Sequence, residues 1–168
     1  MTASNYTLGF TQEEFEPDSF EHIHKIVCSM VEQASKSIEV LCYDLTPRIY
    51  NHADFSEQLK QTIIQSKVKV RILIHNVDTF IHHDHMVLSL HRKLSSYIEI
   101  KKTAESYKNT ARSFIIVDQR GFVKRENSER VEGQCNFNAP NICRDLLSEF
   151  NDTWEHSLVD PNIRGMRI

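Results

Sequence analysis

The sequence predicts an α/β domain in which one mixed β-sheet is flanked by helices on both faces. Three observations predict it: an early alternation of helix-period and strand-period segments, a later pair of strands joined by a tight turn, and an amphipathic segment near the C-terminus. Parallel strands need crossover helices and hairpins give antiparallel pairs, so the combination implies a sheet of both kinds.

The first helix runs from Asp18 to Ala34, with Phe20, Ile23, Val27, Met30, Val31 and Ala34 on one face. Asp18 followed by Glu21 resembles a capping box. Ser37 to Cys42 then reads as a buried strand that ends at the polar pair Tyr43-Asp44, and Pro47 breaks the pattern. A second helix covers Asn51 to Ser66, with Phe55, Leu59, Ile63 and Ile64 apolar. Val68 to His75 is the clearest strand, being rich in β-branched residues. Met86, Val87, Leu90 and Leu94 place a third helix between Asp84 and Leu94, and Tyr97 to Lys101 alternates as a short strand. Ser113 to Val117 and Gly121 to Lys124 form two strands around a turn, and a further short strand leads into Cys135-Asn136. The last helix starts near Pro140, where a missing N–H costs little, and carries Ile142, Leu146, Phe150 and Trp154 as its stripe.

Composition narrows the function classes. With 40% hydrophobic and 26% charged residues, the 168-residue chain matches an ordinary globular domain, not a disordered tail or a fibre. No segment approaches the roughly 20 apolar residues that cross a bilayer. The N-terminus lacks the basic start and apolar run of a secretory signal, so the expectation is a cytoplasmic domain without membrane contact. Four cysteines without C-x-x-C spacing are expected to be reduced thiols. The net charge of −3 argues against a general nucleic-acid binder. Residues 1–16 read as an N-terminal arm and residues 17–168 as one domain.

The run ARSFIIVD, followed by GQCNFN and a helix ending FNDTWEHS, resembles the second half of a phospholipase D-like domain, an α-β-α sandwich. That superfamily carries H-x-K-x-x-x-x-D on a strand and then G-S-x-N; its His becomes a phosphohistidine and its Lys holds the phosphate. Aligned on Asp118, the family His falls at Ala111 and the family Lys at Ser113; Gly133 and Asn136 match, and Gln134 replaces Ser. The phrases CYDLTPRIYNHADF, VRILIHN, HMVLSLHRKL and GQCNFNAP are similar to a bacterial family of uncharacterised phospholipase D-like domains, some fused to N-acetyltransferases.

The departures from the pattern carry the chemistry. Alanine cannot attack phosphorus, and a serine hydroxyl replaces neither the lysine charge nor an activated nucleophile. Loss of a catalytic nucleophile typically costs about 10⁶ in rate. If both positions lie on a strand they share a face, and two small side chains there leave a hollow. The expectation is therefore a binding or interaction module without a catalytic residue, cofactor or metal, recognising a phosphorylated ligand or a partner protein. Single-motif members of the superfamily pair about a two-fold axis, so the resemblance also implies a homodimer.

The ligand-binding candidates are Tyr43, Asp44, His75, His85, Ser113, Gln134, Asn136 and Asn138. Tyr43 and Asp44 follow one buried strand, and His75 and Asn76 follow another. Ligands of open α/β sheets bind beyond such strand ends, although Tyr43 and Asp44 could equally cap their turn. Asn138 reads foremost as the N-cap of the last helix. In the run His82-His83-Asp84-His85, adjacent residues converge poorly on one tetrahedral ion, so a polar loop and helix cap is expected, with His85 a pocket or capping residue. The alternative is a hydrolase whose chemistry has moved to His85, His75 or Cys135, although cysteine is more often a core residue. A basic set at Lys101, Lys102, Lys124 and Arg125 reads as a solvated face before a nucleic-acid surface.

Overall fold

In the computed structural model, which describes residues 5–164, a six-stranded mixed sheet carries helices on both faces, as expected. In chain order the elements are α1 (Phe20–Gln33), β1 (Ser37–Cys42), α2 (Pro47–Tyr50), α3 (Ala53–Ser66), β2 (Lys69–Ile74), α4 (Val77–His82) and α5 (Met86–Lys93). They continue with β3 (Ile98–Lys102), β4 (Ser113–Val117), β5 (Gly121–Arg125), β6 (Gln134–Asn136), α6 (Pro140–Glu155) and α7 (Pro161–Arg164). The sheet order is β3-β2-β1-β4-β5-β6. β1, β2 and β3 are parallel, and β4, β5 and β6 continue the sheet antiparallel from the other side of β1.

Period-2 alternation splits the core in two. Ile38, Val40, Ile72, Ile74, Ile115 and Val123 face the layer of α1, α3 and α5, whereas Leu41, Leu73, Phe114, Ile116 and Phe122 face Cys143, Leu146 and Phe150 of α6. The hairpin between β4 and β5 turns through Asp118 and Gln119, both at φ near +55°, the geometry that matches the twist of two paired strands.

Several boundaries differ from the sequence expectation. Ser19, not Asp18, caps α1, its hydroxyl accepting the His22 N–H. The third helix is preceded by α4, a short helix capped by Asn76, whose side chain accepts the Thr79 N–H at 2.9 Å. Four- and six-residue helices such as α2 and α4 are too short for a periodic signal. The segment expected as a loosely held arm packs on the β6 edge: Tyr6 and Leu8 are buried, Tyr6 stacks on Phe15 and Phe137, and Phe15 exchanges backbone hydrogen bonds with Cys135.

Candidate functional site

A cleft of about 600 Å³ opens beside Ala111. It is walled by Tyr43, Asp44, Thr46 and Arg48 from the segment after β1, by Thr110 and Ala111 before β4, and by Asn127, Ser128 and Glu129 after β5. Ala111 lies in an exposed turn, not on the strand, so the expectation that it shares a strand face with Ser113 is corrected. Ser113 is the first residue of β4 and is buried; it does not line the cleft.

Opposite Ser113 across the ladder stands Arg125, itself only 2% exposed. Directly paired residues of neighbouring strands project to the same face. The guanidinium donates to the carbonyls of Ser128 and Arg130 at 2.6 and 3.1 Å and to the Thr46 hydroxyl at 3.4 Å. Among the described residues it has no carboxylate partner. Arg125 therefore ties two walls of the cleft together and leaves a buried positive charge beneath them. Arg48 stacks on Phe20 at 4.0 Å, and Arg125 lies 5.6 Å from the same ring. Burial lowers the affinity of the Arg125 guanidinium for its proton, but the side chain remains a cation.

Gly133, one of the two matched positions of the second motif segment, has a packing reason. A Cβ there would fall on the Lys124 carbonyl oxygen and 2.7 Å from the Arg125 side chain, so only glycine lets the chain cross behind Arg125.

The loop that carries Tyr43 and Asp44 is braced from below. Leu45 takes a left-handed conformation at φ 58°, and its carbonyl meets the Nε2 of His85 at 2.8 Å. The other ring nitrogen of His85 accepts the Val87 N–H at the start of α5, which assigns the proton to Nε2. Burial pushes His85 down to about 4, with its bond to Leu45 opposing the shift. His85 is thus a buried cap and loop brace with both nitrogens engaged, the capping alternative of the sequence expectation, and it does not line the cleft.

The remaining candidates divide clearly. Tyr43 and Asp44 line the cleft; Tyr43 accepts a hydrogen bond from Asn76 at 2.8 Å, and Asp44 lies 3.6 Å from His83. Burial raises the Asp44 carboxyl above the usual range, with His83 opposing. His75 lies outside the cleft: Nδ1 is 2.8 Å from the Thr103 hydroxyl, the ring stacks on Tyr107 at 4.9 Å, and Nε2 is buried without a partner. Burial depresses it to about 4.

Gln134 faces a different hollow with Lys124, Glu126 and Gly133. Asn136 spends both side-chain groups locally, donating to the Gln12 carbonyl and accepting the Asn138 N–H. Asn138 is not the helix cap; Ala139 occupies that position and offers no side chain to it. Cys135 is fully buried and its thiol is pushed up to about 12, the opposite of what an attacking thiolate needs. The His82–His85 run straddles the ends of α4 and α5 and forms no converging metal-ligand group among the described residues.

Of the basic set, Lys101 sits over Trp154, Lys124 approaches Glu126 and Arg125 is buried, so Arg125 is no part of a solvated face. Arg48 and the 127–129 wall of the cleft had no motif to mark them. Arg125 was legible only as one charge in a scattered set, because its pairing with Ser113 is a fact of the ladder.

This architecture is that of the phospholipase D-like fold. It is similar to NucT from Helicobacter pylori (TM-score 0.60, 13% identity, covering 89% of this chain and 98% of that one). It is also similar to Nuc from Salmonella typhimurium, a phospholipase D family member (TM-score 0.56, 17% identity, 79% and 86% covered). TrmBL2, an archaeal chromatin protein with a novel mode of DNA binding, aligns with TM-score 0.66 at 12% identity over 86% of this chain; the match spans about half of TrmBL2, 52%. No curated protein sequence matches the chain. Residues 19–166 match the family described as a domain of unknown function (DUF7931), and the chain belongs to that family.

Proposed function

We propose that this protein is a non-catalytic phospholipase D-like module that binds a phosphorylated ligand in the cleft beside Ala111. The observation that carries the reading is Arg125, a buried cation without a carboxylate partner that lies behind an open cleft and bonds its Ser128 and Thr46 walls, while Arg48 lines the cleft itself. A buried charge without a counter-ion favours an anion nearby, and a phosphate accepts the guanidinium fork well. The cleft lies where the motif alignment puts the missing nucleophile. The anion site would thus outlast the chemistry.

The rival of a relocated hydrolase finds little support in the geometry. Cys135 and His85 are buried and outside the cleft, and His75 is covered by Tyr107. DNA binding is suggested by the TrmBL2 likeness alone, and neither the net charge nor the dispersed lysines favours it.

The same proposal takes the chain to be a cytoplasmic homodimer of the narrower bacterial group, with residues 1–16 an arm on the domain formed by residues 17–168. No helix among the described residues is long and apolar enough to cross a membrane. The test is a titration followed by backbone NMR with inorganic phosphate, glycerol phosphate and a short DNA duplex. Saturable shifts around residues 43–48 and 127–129 with the phosphates support the reading. Shifts with DNA alone, or with none of the three, overturn it.

A further inference from the structure

Away from the cleft, three side chains from two segments converge at the join between α1 and α3. His24 projects from α1, His52 caps α3 and Asp54 lies in its first turn, and one ligand atom from each falls within 4.8 Å of the others. Among the described residues no other group of three or more His, Cys, Asp or Glu side chains converges in this way. The imidazole rings of His24 and His52 lie 4.2 Å apart. Cys28, one turn along α1 from His24, brings its sulfur to 3.7 Å from His24 Nε2.

The backbone fixes which atoms are free. His24 Nδ1 lies 2.6 Å from the Ile49 carbonyl, and His52 Nε2 lies 2.8 Å from the Arg48 carbonyl. Each ring must donate its N–H there, which leaves His24 Nε2 and His52 Nδ1 with lone pairs. Asp54 Oδ1 accepts the Phe55 N–H at 2.8 Å, and Oδ2 faces His24 Nε2 at 2.9 Å. A nitrogen lone pair and a carboxylate oxygen at that distance require a positive bridge, either a proton or a metal ion. A ring nitrogen anchored to a backbone carbonyl is the usual second shell of a metal-bound histidine. Tetrahedral zinc would hold N and O ligands about 3.3 Å apart, near the 2.9 Å between His24 Nε2 and Asp54 Oδ2, and the three ligand atoms all lie within 4.8 Å of one another.

We propose that His24, His52 and Asp54 form a three-residue binding site for a zinc-type divalent cation that clamps α1 to the start of α3. Two imidazoles and a carboxylate are a donor set suited to Zn²⁺ or Co²⁺ and ill suited to Mg²⁺ or Ca²⁺, with water completing the coordination.

The signal was present in the sequence as a histidine on one helix face and H-x-D at the next helix start, but only the fold brings the two together.

Metal-stripped full chain is titrated with Zn²⁺ by calorimetry and with Co²⁺ by absorption spectroscopy. The expected result is one equivalent of Zn²⁺, an intense tetrahedral Co²⁺ spectrum, and a higher melting temperature with Zn²⁺. His52→Asn and Asp54→Asn, both accessible positions, should each weaken Zn²⁺ binding at least about tenfold while the far-UV spectrum is kept. His82→Asn should change nothing. Absence of stoichiometric Zn²⁺ binding, or unchanged affinity in His52→Asn and Asp54→Asn, overturns the proposal and leaves a protonated His24–Asp54 pair in its place.

Discussion

Arg125 stands directly opposite Ser113 in the β4–β5 ladder, so a buried cation faces the position where the phospholipase D-like pattern places its lysine. Ser113 on β4 carries no charge, so the cation of this neighbourhood comes from β5. Its removal should be felt at the cleft. Arg125→Met keeps most of the side-chain bulk and deletes the charge. It should weaken binding of inorganic phosphate by about tenfold or more and lower stability by about 1–3 kcal/mol through the lost bonds to Ser128, Arg130 and Thr46. Phosphate titration and urea denaturation read the two effects separately.

Asp118, the surviving acid of the motif, is a structural clamp. Its carboxylate accepts the backbone N–H groups of Ser35, Lys36 and Ser37 and the Ser35 hydroxyl, at 2.7–3.2 Å, gathering the chain between α1 and β1. Asp118→Ala should cost about 2–4 kcal/mol of stability, because three amides and a carboxylate's worth of charge-assisted bonds disappear together. The phosphate affinity of the folded fraction should be unchanged. Equilibrium denaturation and a titration below the melting temperature check the two halves.

Glu39 gives the protein a pH dependence of its own. It lies on β1 under α6, 3% exposed, with Arg71 at 3.9 Å and Oε1 without a partner. Burial pushes its carboxyl from the ordinary 4.5 up to about 7, Arg71 opposing. Between those values the folded state keeps a proton that the unfolded chain releases, so this residue's contribution to stability falls as pH rises through the window. Glu39→Gln should raise stability near pH 8 by up to about 3 kcal/mol and change it little near pH 4. Urea unfolding of both proteins at the two pH values measures it.

Much of the architecture could be read from residue order, and the reasons it could not all be read are local. VKVRILI and SFIIV declare themselves as strands because buried strands are dense in β-branched residues. Of the residues beyond the strand ends, Tyr43 and Asp44 line the cleft beside Ala111, whereas His75 and Asn76 do not. His85 stood out from its polar run through the family phrase it belongs to, and burial and two hydrogen bonds make it a cap and brace. Asn138 looked like a cap because Pro140 starts the helix two residues later, but the cap position falls on Ala139. Arg125 and the His24–His52–Asp54 group needed ladder register and helix packing, which no local pattern encodes.

The most direct measurement exposes the protein to bis(p-nitrophenyl) phosphate while occupancy of the cleft and release of p-nitrophenolate are followed together. Saturable binding that falls about tenfold in Arg48→Ala is expected, with no product above the buffer rate. Enzyme-dependent release of p-nitrophenolate, or binding that ignores Arg48, would contradict it.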